Sequence, residues 1–228
     1  MQDLTLSIGE NDTCTMLTVS GRQVNLLYPK PEMIDLGDIA HALSRIQRFA
    51  GHTTVPYTVA QHSMLVARIV AITHPHYQLH ALLHDATEAY IGDASRPLKN
   101  TMRMQGLRLR TMSDFDLTEN ALAAAIEKKW DLNSAGMEWR DIVKEADERA
   151  YLIEVPTMLT AIHSEHALWQ WIRELPQFDP QMQLDLEAKL YQWGQFPGVL
   201  RSTFSSAVVK AETAWLDHLA TRRASHVA

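Results

Sequence analysis

The sequence predicts an all-α fold, a helical bundle carrying a small N-terminal β-hairpin, and three features predict it. From Ile34 onward apolar residues recur at spacings of three and four, the period of one buried helix face. Capping and stop residues bracket those runs. Before residue 32 the pattern changes: the apolar stretches 16–19 and 23–27 flank Ser20-Gly21, a hairpin signal.

Taken in order, Tyr28-Pro29-Lys30-Pro31 reads as an extended connector, since each proline pushes its predecessor out of the helical region. Ile39, Leu43, Ile46 and Phe49 then share one face of a first helix, ended by Gly51 and Pro56. Thr58-Val-Ala-Gln61 has the form of a capping box and opens a second helix through Leu65, Ile69 and Ile72, closed by His74-Pro75. A third helix is expected from about His76 to Tyr90, stopping at Gly92-Asp93. An irregular stretch around Pro97 follows. A fourth helix is expected over 114–130 and a fifth over about 135–155, stopping before Pro156. The remainder, with Trp169, Trp171, Trp193 and Trp215, reads as further helices, one of them opened by Asp179-Pro180. No internal repeat, low-complexity tract or linker interrupts the chain. The expected organisation is an N-terminal hairpin extension over 1–31, a helical core over 32–160, and a helical extension over 161–228 packed on that core.

Composition narrows the function. A length of 228 residues suits one domain, or one domain with an extension. With 21 basic against 27 acidic residues the net charge is −6, which argues against a broad surface for nucleic-acid polymers but leaves room for a small anion in one pocket. The single cysteine, Cys14, excludes a disulfide framework and a cysteine-based zinc site. The first residues lack the pattern of a secretory signal, and no apolar run reaches the ~20 residues of a membrane span. A soluble cytoplasmic protein without a membrane partner is therefore expected.

Phosphate-loop, dinucleotide, zincin and nucleophile-elbow motifs are missing. What stands out is His62 in helix two, the adjacent pair His84-Asp85 in helix three and Asp147 in helix five. Imidazole nitrogens together with carboxylate oxygens suit a divalent cation of borderline hardness. Neighbouring His84 and Asp85 diverge by about 100° on an ideal helix, so both reach one ion only if it sits between their directions. Glu88, three residues past Asp85, falls on the same face, placed to take or steer a proton. Taken singly, a histidine on an apolar helix is more often a core residue than a ligand, and Glu88 or Asp147 a solvated surface group. A rival set, His76, His80 and His84, spans about 12 Å along a helix and offers at most a pair. His163-x-x-His166 reads as a surface pair and Arg45 as a packing residue. Lys144 and Asp147 suit an ordinary helix ion pair.

The stretch 39–52, Tyr57-Thr-Val-Ala-Gln-His62-Ser, and Ala81-Leu-Leu-His-Asp-Ala-Thr-Glu-Ala-Tyr-Ile-Gly-Asp93 resemble the HD-domain metal-dependent phosphohydrolases. Within these, the similarity is to the small bacterial and prophage 5′-nucleotidases, a group that includes 5′-deoxynucleotidases and phage dATP triphosphohydrolases. It covers roughly residues 34–160. The resemblance implies His62, His84, Asp85 and Asp147 as ligands of a divalent metal (Co²⁺, Mn²⁺, Mg²⁺ or Zn²⁺). It implies Glu88 and Asp93 as catalytic carboxylates within the spacing HDxxExxxxD, and Arg48, Phe49, Lys99 and Lys144 as substrate-binding residues. Ser95 departs from the family's usual proline in GDxPxPxK, and Phe49 stands where some relatives carry tryptophan. Relatives form homo-oligomers, so one is expected here. Three functions remain open at this point. The first is phosphate release from nucleotides, as a 5′-nucleotidase on deoxynucleoside monophosphates or a dNTP triphosphohydrolase. The second is another HD chemistry on alarmones or cyclic dinucleotides, whose signatures are lacking. The third is a non-catalytic HD binding module.

Overall fold

The structure, a computed structural model, describes residues 13–109, 113–134, 136–159, 167–192 and 196–225. The hairpin forms as the sequence predicts: β1 (Thr15–Leu17) pairs antiparallel with β2 (Gln23–Asn25), Met16 opposite Val24. Gly21, at φ 82°, occupies the left-handed region that a tight turn requires. A two-stranded ribbon is marginal alone. Here Asp38 anchors it, accepting hydrogen bonds from Thr18 Oγ1 at 2.7 Å, Ser20 N at 2.9 Å and Ser20 Oγ at 2.7 Å.

Asp38 lies on α1 (Leu36–Leu43), whose N-cap Asp35 accepts from the amides of Gly37 and Asp38. This first helix is shorter than its apolar spacing predicts. It stops at Leu43, and Ile46 and Phe49 lie in the segment that follows. That segment is closed on itself: Arg48 N donates to Tyr57 O at 2.9 Å, Val59 N to Ile46 O at 3.0 Å and Tyr57 N to Gln47 Oε1 at 3.0 Å. Phe49 and Ala50 both take left-handed backbone angles, φ 55° and 52°, inside the turn Arg48–Gly51. Left-handed geometry costs a non-glycine residue about 1–2 kcal/mol, so surrounding contacts must hold the turn.

Helix α2 (Val59–Thr73) begins with the expected capping box of Thr58 and Gln61. Leu65 and Ile69 are buried, whereas Ile72 is half exposed. The expected third helix is divided. After a short turn at Pro75–Tyr77 come α3 (Gln78–Leu83) and α4 (Glu88–Ile91), and between them the bonding tightens to three-residue closures, Ala86 N to Leu83 O and Glu88 N to Asp85 O, both 3.0 Å. Gly92, at φ 79°, ends α4 as the sequence indicates.

The stretch around Pro97 is helical, correcting the expectation of irregular chain: α5 (Arg96–Leu109) accommodates the proline at its second position, where no intrahelical donor is needed. Helix α6 (Asp114–Lys129) is capped by Ser113. Helix α7 (Trp139–Met158) starts later than predicted and runs through Pro156, which lacks the N–H that would bond Leu152 O and so removes one rung shortly before the helix ends. Then come α8 (Ala167–Glu174), α9 (Pro180–Gln192), with Asp179 accepting from Met182 N at 3.0 Å, and the long α10 (Pro197–Ser225). The pair His163 and His166, and Trp193, lie outside the described residues.

Helices α2, α3 and α7 pack together, and α10 lies across α1, α2 and α3. Leu65, Leu79, Ile153, Phe204 and Trp215 fall in one buried cluster, so the described C-terminal helices share a core with the helices before them. The result is an all-α architecture with one two-stranded ribbon among the described residues. No helix of the described residues is long and apolar enough to cross a membrane.

Candidate functional site

Because α2, α3 and α7 pack side by side, His62, His84 and Asp147 converge, one ligand atom from each lying within 4.8 Å of the others. His62 Nε2 stands 3.0 Å from Asp147 Oδ1. Asp85 joins them, its Oδ2 3.4 Å from His62 Nε2 and 3.3 Å from His84 Nε2. Three-residue closures at 84–87 set adjacent residues about 120° apart, so His84 and Asp85 meet only because the cluster sits between their directions.

The donor set fits a divalent cation, and the orientation of the imidazoles supports this. His84 Nδ1 donates to the carbonyl of Ala81 at 2.7 Å, and His62 Nδ1 to Glu154 Oε1 at 2.6 Å. Both rings therefore turn Nε2 toward the cluster, His62 facing the carboxylates of Asp147 and Asp85 and His84 that of Asp85. Outer partners of this kind fix the tautomer and direction of metal-binding histidines. Glu154 is the residue that sequence reasoning missed. Fully buried, it accepts from Tyr57 Oη at 2.7 Å and faces Arg48 Nε at 3.5 Å. Burial alone would raise its carboxyl, but Arg48 and His62 hold it below the ordinary carboxylate range. Its signal was present: a carboxylate inside the apolar run Leu152-Ile153-Glu154-Val155, two helical turns beyond Asp147.

Burial and the Arg48 charge pull the His62 imidazole down, yet Glu154 and Asp147 outweigh them and push it up to about 10. Burial pushes Glu88 up to about 9, reinforced by Asp85 and Asp93. Burial works against Asp85, but His84, His62 and Arg48 hold it far below the carboxylate range. A bound cation would take the place of the His62 proton between Asp85 and Asp147.

Beside the cluster opens a cavity of about 310 Å³, lined by Arg48, Asp85, Glu88, Asp93, Lys99 and Asp147, with Arg96, Arg103, Glu119 and Tyr151. Glu88 is buried in its wall and its Oε2 lacks a hydrogen-bond partner. Lys99 Nζ lies 2.8 Å from Glu119 Oε1 and 3.8 Å from Glu88 Oε1. Arg48 is held between Asp85 and Glu154 at 3.4 Å and 3.5 Å. A second cavity of about 310 Å³ shares Arg48, Asp93, Arg96 and Tyr151 and adds Phe49, Pro97 and Asn100. Phe49 meets Tyr151 edge to face at 6.2 Å. Lys144 is set apart: exposed on α7, it lines a different cavity of about 330 Å³, with His84, Asp147 and Trp139.

The rival histidines do not gather. His80 is buried, donating from Nε2 to Leu132 O at 2.9 Å within a box of Tyr77, Trp139 and Trp215. His76 instead stacks on His218 of α10 at 4.5 Å.

No protein-family model matches the chain. Among curated proteins, the uncharacterized protein YfdR of Escherichia coli is 35% identical over 135 residues, 58% of this chain and 68% of that protein. An uncharacterized protein of Rhodobacter capsulatus is 44% identical over 87 residues, 36% of this chain. The chain's match spans less than half, 44%, of that relative's length.

Proposed function

The chain belongs to the same family as YfdR of Escherichia coli, and for its site we propose metal-dependent hydrolysis of a nucleotide phosphate ester, as a 5′-nucleotidase of the HD type acting on deoxynucleoside monophosphates. The observation that carries this is the convergence of His62, His84, Asp85 and Asp147 beside a cavity lined by Arg48, Lys99 and Glu88.

His62, His84, Asp85 and Asp147 would hold a divalent ion, which would supply Lewis-acid chemistry at the phosphate. The chain's own groups do the rest. Arg48 and Lys99 carry positive charge at the cavity wall, where negative charge builds on the phosphoryl oxygens. Glu88, with an oxygen free of other partners, exchanges the proton between attacking water and leaving oxygen. Asp93 lines both cavities and so lies where the ester linkage to the sugar would pass; Phe49 and Tyr151 offer aromatic surface to sugar or base. Charge balance favours a single phosphate. With Glu88 protonated, the polar cavity sets Arg48, Arg96, Lys99 and Arg103 against Asp85, Asp93, Glu119 and Asp147, so an excess of positive charge arises only with a bound cation and is no larger than that ion's own. Arg103 on the same wall is the observation favouring the second reading, a dNTP triphosphohydrolase.

The test is an activity panel of all dNMPs and dNTPs with Co²⁺, Mn²⁺, Mg²⁺, Zn²⁺ or EDTA, products resolved by chromatography. EDTA-sensitive release of nucleoside and phosphate from monophosphates is expected. Triphosphate release from a dNTP selects the second reading. Bound metal with no turnover of either class overturns both and leaves a binding module.

A further inference from the structure

Of the cations lining the polar cavity, three are already engaged. Arg48 faces Asp85 and Glu154, Lys99 faces Glu119 and Glu88, and Arg103 faces Asp116 at 3.0 Å. Arg96 is different: among the described residues it pairs with no carboxylate. Its guanidinium instead lies over two rings, 5.1 Å from the centre of Tyr151 and 5.2 Å from that of Trp171, which themselves meet edge to face at 5.4 Å. It lines both the polar cavity and the aromatic one, and so stands where the two adjoin.

We infer that Arg96 is the anchor for the substrate's phosphate, presented by Tyr151 and Trp171, and that helix α8 thereby makes the C-terminal segment part of the site. The inference rests on the nucleotide-phosphohydrolase reading above. An incoming phosphate takes the charge of Arg96 without breaking an existing ion pair, whereas Lys99 or Arg103 must first release a carboxylate. Aromatic rings engage the face of a guanidinium and leave its N–H edges available, so stacking and paired hydrogen bonding to a phosphate coexist. Tyr151 stands one helical turn beyond Asp147 on α7, which ties the anchor to the helix that carries a metal ligand. Trp171 comes from α8, the reason the sequence alone could give the C-terminal third no role. Trp171 is accordingly a positioning residue and does not itself meet the substrate.

The experiment measures the affinity of the full-length, metal-loaded protein for inorganic phosphate by calorimetry, alongside kcat and KM for deoxynucleoside monophosphates. Arg96→Gln is expected to weaken phosphate binding about tenfold or more and to raise KM comparably, with a smaller change in kcat and unaltered metal content. Arg96→Lys recovers only part, because an ammonium keeps the charge but loses the stacking and the paired donors. Trp171→Leu gives a smaller rise in KM, and Trp171→Phe restores it. Equal phosphate affinity in wild type and Arg96→Gln overturns the anchor while the nucleotidase reading stands. Phosphate binding that depends on Arg96, in a protein that hydrolyses no nucleotide, supports the anchor and overturns the nucleotidase reading. Absence of phosphate binding in the wild type overturns the anchor outright.

Discussion

The two ends of the candidate site are built by opposite rules. At the end proposed to hold a metal, His62 and Glu154 are fully buried, Arg48 nearly so, and the Nδ1 atoms of His62 and His84 are hydrogen-bonded. At the anion end Arg96 is exposed and Arg103 half so, and the groups there are held by single ion pairs or by aromatic faces. The first end is held by buried, mutually bonded groups and should fail abruptly when one is removed. The second should fail gradually.

A graded set of variants tests that contrast. The largest effect belongs to the metal end. Asp85→Ala should lose turnover by ~10³-fold or more and lose bound metal, since a Lewis-acid contribution of several kcal/mol disappears with the ion; metal analysis beside the assay checks both. Glu88→Gln should lower kcat by roughly 10²–10⁴-fold, the range of a general acid–base group, while metal content and melting temperature hold. Glu154→Gln tests the outer support. It should weaken metal affinity by about 10–100-fold without touching a proposed ligand, read by competition with a chelator.

Two smaller effects concern the frame. His80 is held neutral by burial, which pulls it down to about 4 despite its bond to Leu132. Between about pH 6.5 and 4 the unfolded chain takes up a proton that the folded chain refuses, so stability is full above this window and falls as pH drops through it. The full contribution is about 3 kcal/mol. Urea midpoints across that range should fall less steeply in His80→Gln. Ala50→Gly should stabilise the fold by about 1 kcal/mol, because glycine takes φ 52° without the clash a Cβ suffers; a rise in the urea midpoint checks it.

How far the sequence could be read follows the same division. Local signals were reliable: the Thr58–Gln61 capping box, the Ser20-Gly21 turn, the Asp179-Pro180 helix start and the Gly92 stop all formed as their chemistry requires. The cluster was legible through a resemblance, the spacing HDxxExxxxD from His84 to Asp93; singly, each histidine or carboxylate reads as a core or surface group. Glu154 was missed because its meaning depends on His62, 92 residues earlier, donating to it across the core. Arg96 was missed because an arginine beside Pro97 at an apparent loop carries no periodic signal; only the aromatic pair assembled from α7 and α8 gives it a place. Helix α1 was overextended because Ile46 and Phe49 keep helical spacing while the backbone, pulled toward Tyr57, turns left-handed. Pattern records which residues are apolar but not which backbone carries them.

We propose that His62, His84, Asp85 and Asp147 form one divalent-metal centre. Its most direct test is titration of the metal-stripped protein with Co²⁺, following visible absorption to saturation, for wild type and His84→Ala. One ion per chain in the wild type, with binding weakened by orders of magnitude in the variant, is the predicted result. A wild-type chain that takes up no ion, or a variant that binds as tightly, would contradict it.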